Sequence, residues 1–148
     1  SCAAASGRLP SRRPASSYRV PRILVADDDP MVRTMVWHVL TRENWDVTAV
    51  GDGQEAVQVC SQQATPFDLV ILDVKMPGLN GYQTREVLQK ESPDIPCLFV
   101  SGFSDESVWR RIVDQGLPYL EKPFMPQQLV DAVKRVLATR AESLAAGS

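Results

Sequence analysis

Three consecutive carboxylates, Asp27, Asp28 and Asp29, close one apolar run, and a fourth, Asp73, closes another, Leu69 to Leu72. Two further apolar runs end in Ser101, followed by Gly102, and in Glu121, followed by Lys122. Carboxylates brought close together repel, and raised proton affinity or a bound cation must relieve that repulsion. Oxygen ligands with no His or Cys beside them favour Mg²⁺ or Mn²⁺, and one or two carboxylates completed by water suit Mg²⁺. A hydroxyl from Ser101, close backbone approach at Gly102 and the ammonium of Lys122 would complete a set able to place a phosphoryl group and neutralise its oxygens. The nucleophile of such a set would be an aspartate.

Each residue alone has a plainer explanation. Asp29 before Pro30 reads as a helix N-cap with proline at the first helical position. Gly51-Asp52-Gly53 after another apolar run is turn chemistry, and a lone Ser, or a Lys before Pro, is ordinarily solvated. What favours the chemical reading is coincidence, because four of five run ends carry a complementary polar group.

The elements that must position these groups are readable from periodicity. Ile23 to Ala26, Val47 to Val50 (with Thr48 inside it), Leu69 to Leu72, Cys97 to Val100 and Tyr119 to Leu120 are near-continuous apolar runs rather than alternating ones, the pattern of strands covered on both faces. Between them, Val32, Met35, Val36, Val39 and Leu40, and later Leu129, Val130, Val133, Val136 and Leu137, keep helical spacing. Weaker helices fit residues 53–63, 82–90 and 105–115. Strand and helix alternating five times predicts an α/β fold, a doubly wound parallel sheet of five strands with five helices. In the flavodoxin-like order 2-1-3-4-5, the first and third strands are neighbours, and Asp27, Asp28 and Asp73 meet in one cleft at the carboxyl ends.

A chain of 148 residues supplies one domain. Its net charge of −2 is uneven: residues 1–20 carry Arg8, Arg12, Arg13 and Arg19 with no acid, which leaves 12 basic against 18 acidic groups in the rest. An acidic body argues against nucleic acid as the main partner. Residues 1–20 are rich in Ser, Ala, Arg and Pro and read as a disordered tail or linker, residues 21–140 as the domain, and 141–148 as a C-terminal tail. No apolar run approaches the roughly 18 residues needed to cross a bilayer, and no signal-peptide core is present, so a cytoplasmic location is expected. Cys2, Cys60 and Cys97 are odd in number and widely spaced, and Cys60 and Cys97 are expected as buried small hydrophobes.

With these residues in place, residues 22 to about 139 resemble the receiver domain of two-component response regulators. The resemblance rests on Ile23-Leu24-Val25-Ala26-Asp27-Asp28-Asp29-Pro30, on Asp73-Val74-Lys75-Met76-Pro77-Gly78-Leu79-Asn80-Gly81, on Val100-Ser101-Gly102, and on Tyr119 three positions before Lys122-Pro123-Phe124. It implies that Asp73 accepts a phosphoryl group from the phosphohistidine of a histidine kinase or histidine phosphotransfer protein. Asp28 and Asp73 would hold Mg²⁺ directly, Asp27 largely through water, and the Lys75 carbonyl would complete the protein ligands. Lys122 would pair with the phosphoryl group, Ser101 would rotate to bond it, and Tyr119 would follow inward as the second half of a switch. The family often has Thr where Ser101 stands. Lys75 and Phe103 would flank the path of attacking water and tune the lifetime of the phosphoryl group, here toward slow self-dephosphorylation.

The readout surface would be the fourth helix, fifth strand and fifth helix, where Trp109 is either core or partner surface and Arg110 and Arg111 either solvated or recognition groups. No output module with a recognition helix is expected after residue 140, so the chain reads as a stand-alone receiver or one cut from a longer protein, and the output partner is not legible. The lead-in and the Ser101-Gly102-Phe103 texture suggest the C-terminal receiver of a hybrid histidine kinase. A Ser-His-Asp hydrolase is excluded by His38, the sole histidine, inside the first helical pattern. An aspartyl-nucleophile phosphatase would want an acid at Lys75, and a non-phosphorylated pseudo-receiver binding module would keep the fold without the chemistry; both stay as alternatives.

Overall fold

The computed structural model describes residues 20–63, 66–102 and 106–147, with side chains through residue 140. Five strands, β1 (Arg22–Ala26), β2 (Asp46–Val50), β3 (Leu69–Asp73), β4 (Cys97–Ser101) and β5 (Tyr119–Glu121), alternate with five helices. These are α1 (Pro30–Thr41), α2 (Gly53–Gln62), α3 (Gly81–Glu91), α4 (Glu106–Asp114) and α5 (Pro126–Gly147). All strand pairs are parallel, and the sheet order is β2-β1-β3-β4-β5.

The near-continuous apolar runs have a simple cause. Successive strand residues point to opposite faces, and each face has its own core. Ile23, Val25, Leu69, Ile71, Leu98 and Val100 pack with Val36 and Leu40 of α1 and Leu129 and Val133 of α5. On the other face Leu24, Ala26, Val70, Leu72 and Phe99 pack with Ala56 of α2, Tyr82 and Leu88 of α3, and Val108 and Ile112 of α4. Burial on both faces holds for β1, β3 and β4, but not for β2, which is mostly half-buried, or β5, which is largely exposed. These two are the sheet edges, each with one neighbouring strand and incomplete helical cover.

Local capping fixes where the helices begin. Asp29 accepts from the Met31 N–H at 2.9 Å, with Pro30 as the first helical residue. Asp52 accepts from the Glu55 N–H at 2.8 Å, so the turn after β2 is structural as its composition suggested. Asn80 and Gln83 form a capping box at α3, a signal present in the sequence and passed over by the apolar periodicity. The expected boundary at residue 140 falls inside α5, whose backbone stays helical to Gly147; Ala141, Glu142, Leu144, Ala145 and Ala146 are good helix formers.

Candidate functional site

Parallel register alone gathers the polar residues. Ala26 pairs with Leu72, so Asp27 and Asp73 leave the sheet side by side. Asp73 pairs with Val100, Ser101 with Glu121, and the Lys122 N–H donates to the Ser101 carbonyl at 2.8 Å. One step along each strand therefore delivers a carboxylate, a carboxylate, a hydroxyl and an ammonium to one end of the sheet. Gly51, after β2, lies at the edge outside this set.

Asp27, Asp73 and Ser101 are buried, Lys122 is half-buried and Asp28 is exposed. Lys122 Nζ stands 3.3 Å from Asp27 Oδ2 and 3.4 Å from Asp73 Oδ2. One carboxylate oxygen from each of Asp27, Asp28 and Asp73 lies within 4.8 Å of the other two. Asp27 Oδ1 also accepts the Asp29 N–H at 2.9 Å, a structural duty that adjacency in sequence did not reveal.

One ammonium does not balance this charge. Burial, then the neighbouring Asp27 carboxylate, push the Asp73 carboxyl up to about 7 despite Lys122. Burial works against the charge on Lys122, but Asp73 and Asp27 outweigh it and hold the ammonium above its ordinary range. Three clustered hard oxygens with residual repulsion fit a hard divalent cation by the chemistry of the donor set.

The loops around the pocket follow. Gly78 has φ +76°, the left-handed conformation that glycine adopts without strain, in the Met76-Pro77-Gly78 turn after β3. The Lys122–Pro123 peptide is cis. Lys75 is exposed. Phe103 lies outside the described residues. Tyr119 is 46% exposed, with its ring edge-on to Trp109 at 4.8 Å between centroids. Trp109 itself is buried, which decides for core packing over a partner surface. Arg110 is exposed, while the exposed Arg111 lays its guanidinium over the Tyr82 ring at 5.7 Å.

Among the described residues, the histidine and the cysteines stand apart from this chemistry. His38 lies within α1. Burial pushes the Cys97 thiol up to about 12 and the Cys60 thiol to about 11, which leaves both protonated and poor nucleophiles. Cys97 is buried as expected, whereas Cys60, in the last turn of α2, is half-buried and packs against the core that contains Ala56. Arg33, which run-end spacing passes over, donates from Nη1 to the Asp27 carbonyl at 2.9 Å.

Comparison with known proteins agrees with this geometry. The family model for the response regulator receiver domain matches residues 23–134. Transcriptional regulatory protein AruR of Pseudomonas aeruginosa is 33% identical over 126 residues, covering 80% of this chain and 50% of that protein. Sensor protein GacS of Pseudomonas syringae pv. syringae is 32% identical over 126 residues, covering 81% of this chain and 14% of that protein. The chain thus spans half or less of the length of these two relatives. A crystal structure of a response regulator receiver domain protein (CheY-like) from Methanospirillum hungatei JF-1 superposes with a TM-score of 0.76 at 23% identity, over 84% of this chain and 99% of that one, a likeness of fold. A sheet that lines up two aspartates, a serine and a lysine, and a family match over most of its length, lead to one conclusion: this chain belongs to the response regulator receiver domains of two-component signalling.

Proposed function

We propose that Asp73 is the phosphoacceptor of this domain. A carboxylate oxygen of Asp73 attacks the phosphorus of a phosphohistidine on a histidine kinase or histidine phosphotransfer protein. The P–O bond forms as the P–N bond breaks, and the imidazole leaves with the electron pair and takes up a proton. The observation that carries this reading is Lys122 Nζ set 3.4 Å from Asp73 and 3.3 Å from Asp27, where an ammonium can follow the transferred group's negative charge.

Asp27, Asp28, Asp73 and the main-chain carbonyl of Lys75 would hold Mg²⁺. That ion, when bound, would screen the carboxylates from one another and from the incoming phosphoryl oxygens. Ser101, buried beside Asp73 across β3 and β4, would rotate its hydroxyl onto the phosphoryl group. Tyr119, exposed before the reaction, would turn inward and alter the face formed by α4, β5 and α5. Lys75 would tune the lifetime of the acyl phosphate from its exposed place beside the pocket.

The unit that does this would comprise residues 21–140 and catalyse only its own phosphoryl transfer and slow loss. We place it in the cytoplasm, where it would meet its kinase; among the described residues no helix is long and apolar enough to cross a membrane. Service as a receiver within a hybrid histidine kinase is supported by likeness to a stretch of a sensor protein. Incubation with acetyl phosphate and Mg²⁺ followed by intact-mass measurement should show one base-labile phosphate adduct. Asp73→Asn should show none, and an adduct that persists in this variant would remove Asp73 as acceptor.

A further inference from the structure

Arg33 lies in the first turns of α1, and its guanidinium reaches back to the acidic loop. The Asp27 carbonyl that accepts from Nη1 at 2.9 Å belongs to the planar peptide joining Asp27 to Asp28. Fixing that oxygen fixes the link between two of the three clustered carboxylates. The Asp27 side chain has anchors of its own, the Asp29 N–H at 2.9 Å and Lys122 Nζ at 3.3 Å. Asp28 is exposed, so its direction is set through its peptide more than by packing.

The guanidinium is itself confined by the turn after β2. A Cβ placed on Gly51 would stand 3.2 Å from Arg33 Nη1 and 3.6 Å from Glu55 Oε1. Glu55 Oε1 in turn accepts the Gly51 N–H at 2.8 Å. Arg33 thus lies in the space left by a missing side chain, between the β1–α1 loop and the β2–α2 turn.

Two effects of Arg33 on a cation in the pocket oppose each other. Its positive charge repels the ion, and its hydrogen bond holds a ligand loop in the bound arrangement, which favours the ion. Asp28 is exposed, so water and salt reach the acidic loop and screen the repulsion, whereas the 2.9 Å hydrogen bond is partly buried. We infer that Arg33 is a positioning residue for the acidic pocket: through the Asp27 carbonyl it keeps Asp28 in line with Asp27 and Asp73, and it raises the pocket's affinity for a divalent cation without touching the ion. The inference rests on the proposed reading of the pocket as a Mg²⁺ site.

Calorimetric titration of the full chain with MgCl₂ tests it, alongside urea unfolding of each variant without Mg²⁺. Arg33→Ala should weaken Mg²⁺ binding about tenfold, the scale found for residues that orient metal ligands. Arg33→Lys, which keeps a charge and a donor, should recover part of the loss. Gly51→Ala, which forces Nη1 aside by a few tenths of an ångström, should weaken binding by a smaller factor in the same direction. Unchanged or tighter binding in Arg33→Ala overturns the inference, since charge repulsion alone predicts tightening. If Arg33→Ala fails to fold, unchanged binding in both Gly51→Ala and Arg33→Lys overturns it equally. Absence of Mg²⁺ binding by the unaltered chain would overturn the Mg²⁺ reading and this inference together, so the two failures are distinguishable.

Discussion

A carboxyl group that holds its proton to about pH 7 makes the ion-free domain sensitive to pH. Asp73 is raised in the folded chain by burial and by Asp27, relative to an unfolded value near 3.8. The folded state therefore binds a proton that the unfolded state releases, and stability falls as pH rises between about 4 and 7. At about 1.4 kcal/mol per tenfold change in proton affinity, and with solvent screening part of the interaction, the decline is on the order of 1 to 3 kcal/mol. Urea unfolding without Mg²⁺ should show this decline in the native chain and a much flatter profile in Asp73→Asn. Lys122 opposes the same repulsion, so Lys122→Ala should cost about 1 to 2 kcal/mol at pH 8. Added Mg²⁺ should restore part of that loss; a variant as stable as the native chain at pH 8 would show that the ammonium does not balance the carboxylates. These residues were legible as types at run ends, but the anchoring of Asp27 by the Asp29 N–H was not, because it depends on a side chain folding back over its own loop.

The elements deliver the site through close approach of backbones. Gly81 opens α3, and a Cβ there would stand 2.6 Å from the Asp73 carbonyl oxygen and 3.0 Å from the Val74 Cα. Those are main-chain atoms and cannot swing aside. Gly81→Ala should therefore destabilise the fold by about 2 kcal/mol or more and reduce phosphate-adduct formation at Asp73, both measurable on one preparation. An alanine variant with unaltered stability and reactivity would mean that α3 does not brace the end of β3. All five strands and helices were visible as apolar runs and helical spacing, and each observed strand adds one polar residue to its expected run. The exposure of β2 and β5 was not visible, because an apolar run does not reveal how many neighbours a strand has.

At the scale of the whole molecule the sheet has two polar ends with different duties. At the amino ends of β1 and β3, Arg22 is buried over the Phe67 ring at 4.8 Å, and Arg140 of α5 donates to the Asp68 carbonyl at 2.9 Å. This end ties the last helix to the middle of the sheet. The carboxyl end holds repelling acids and is the end that a cation would stabilise. A ligand that binds only the folded state adds about 2.7 kcal/mol at a hundred times its dissociation constant. Mg²⁺ at such excess should raise the thermal midpoint by several degrees at pH 8, and the rise should shrink sharply in Asp73→Asn. Equal rises in both proteins would place the ion elsewhere.

Residue order alone determined the element types, the α/β alternation and the polar residue closing each run, because these depend on periods of 2 and 3.6 and on local capping. Tertiary structure decided that Lys122 lies between Asp27 and Asp73, that Trp109 is core while Tyr119 stays outside, and that Arg33 reaches the Asp27 carbonyl. Those are through-space contacts among residues up to 95 positions apart. Their distances come from strand register and from two cores pressing the helices onto the sheet, and no local pattern in the chain encodes them.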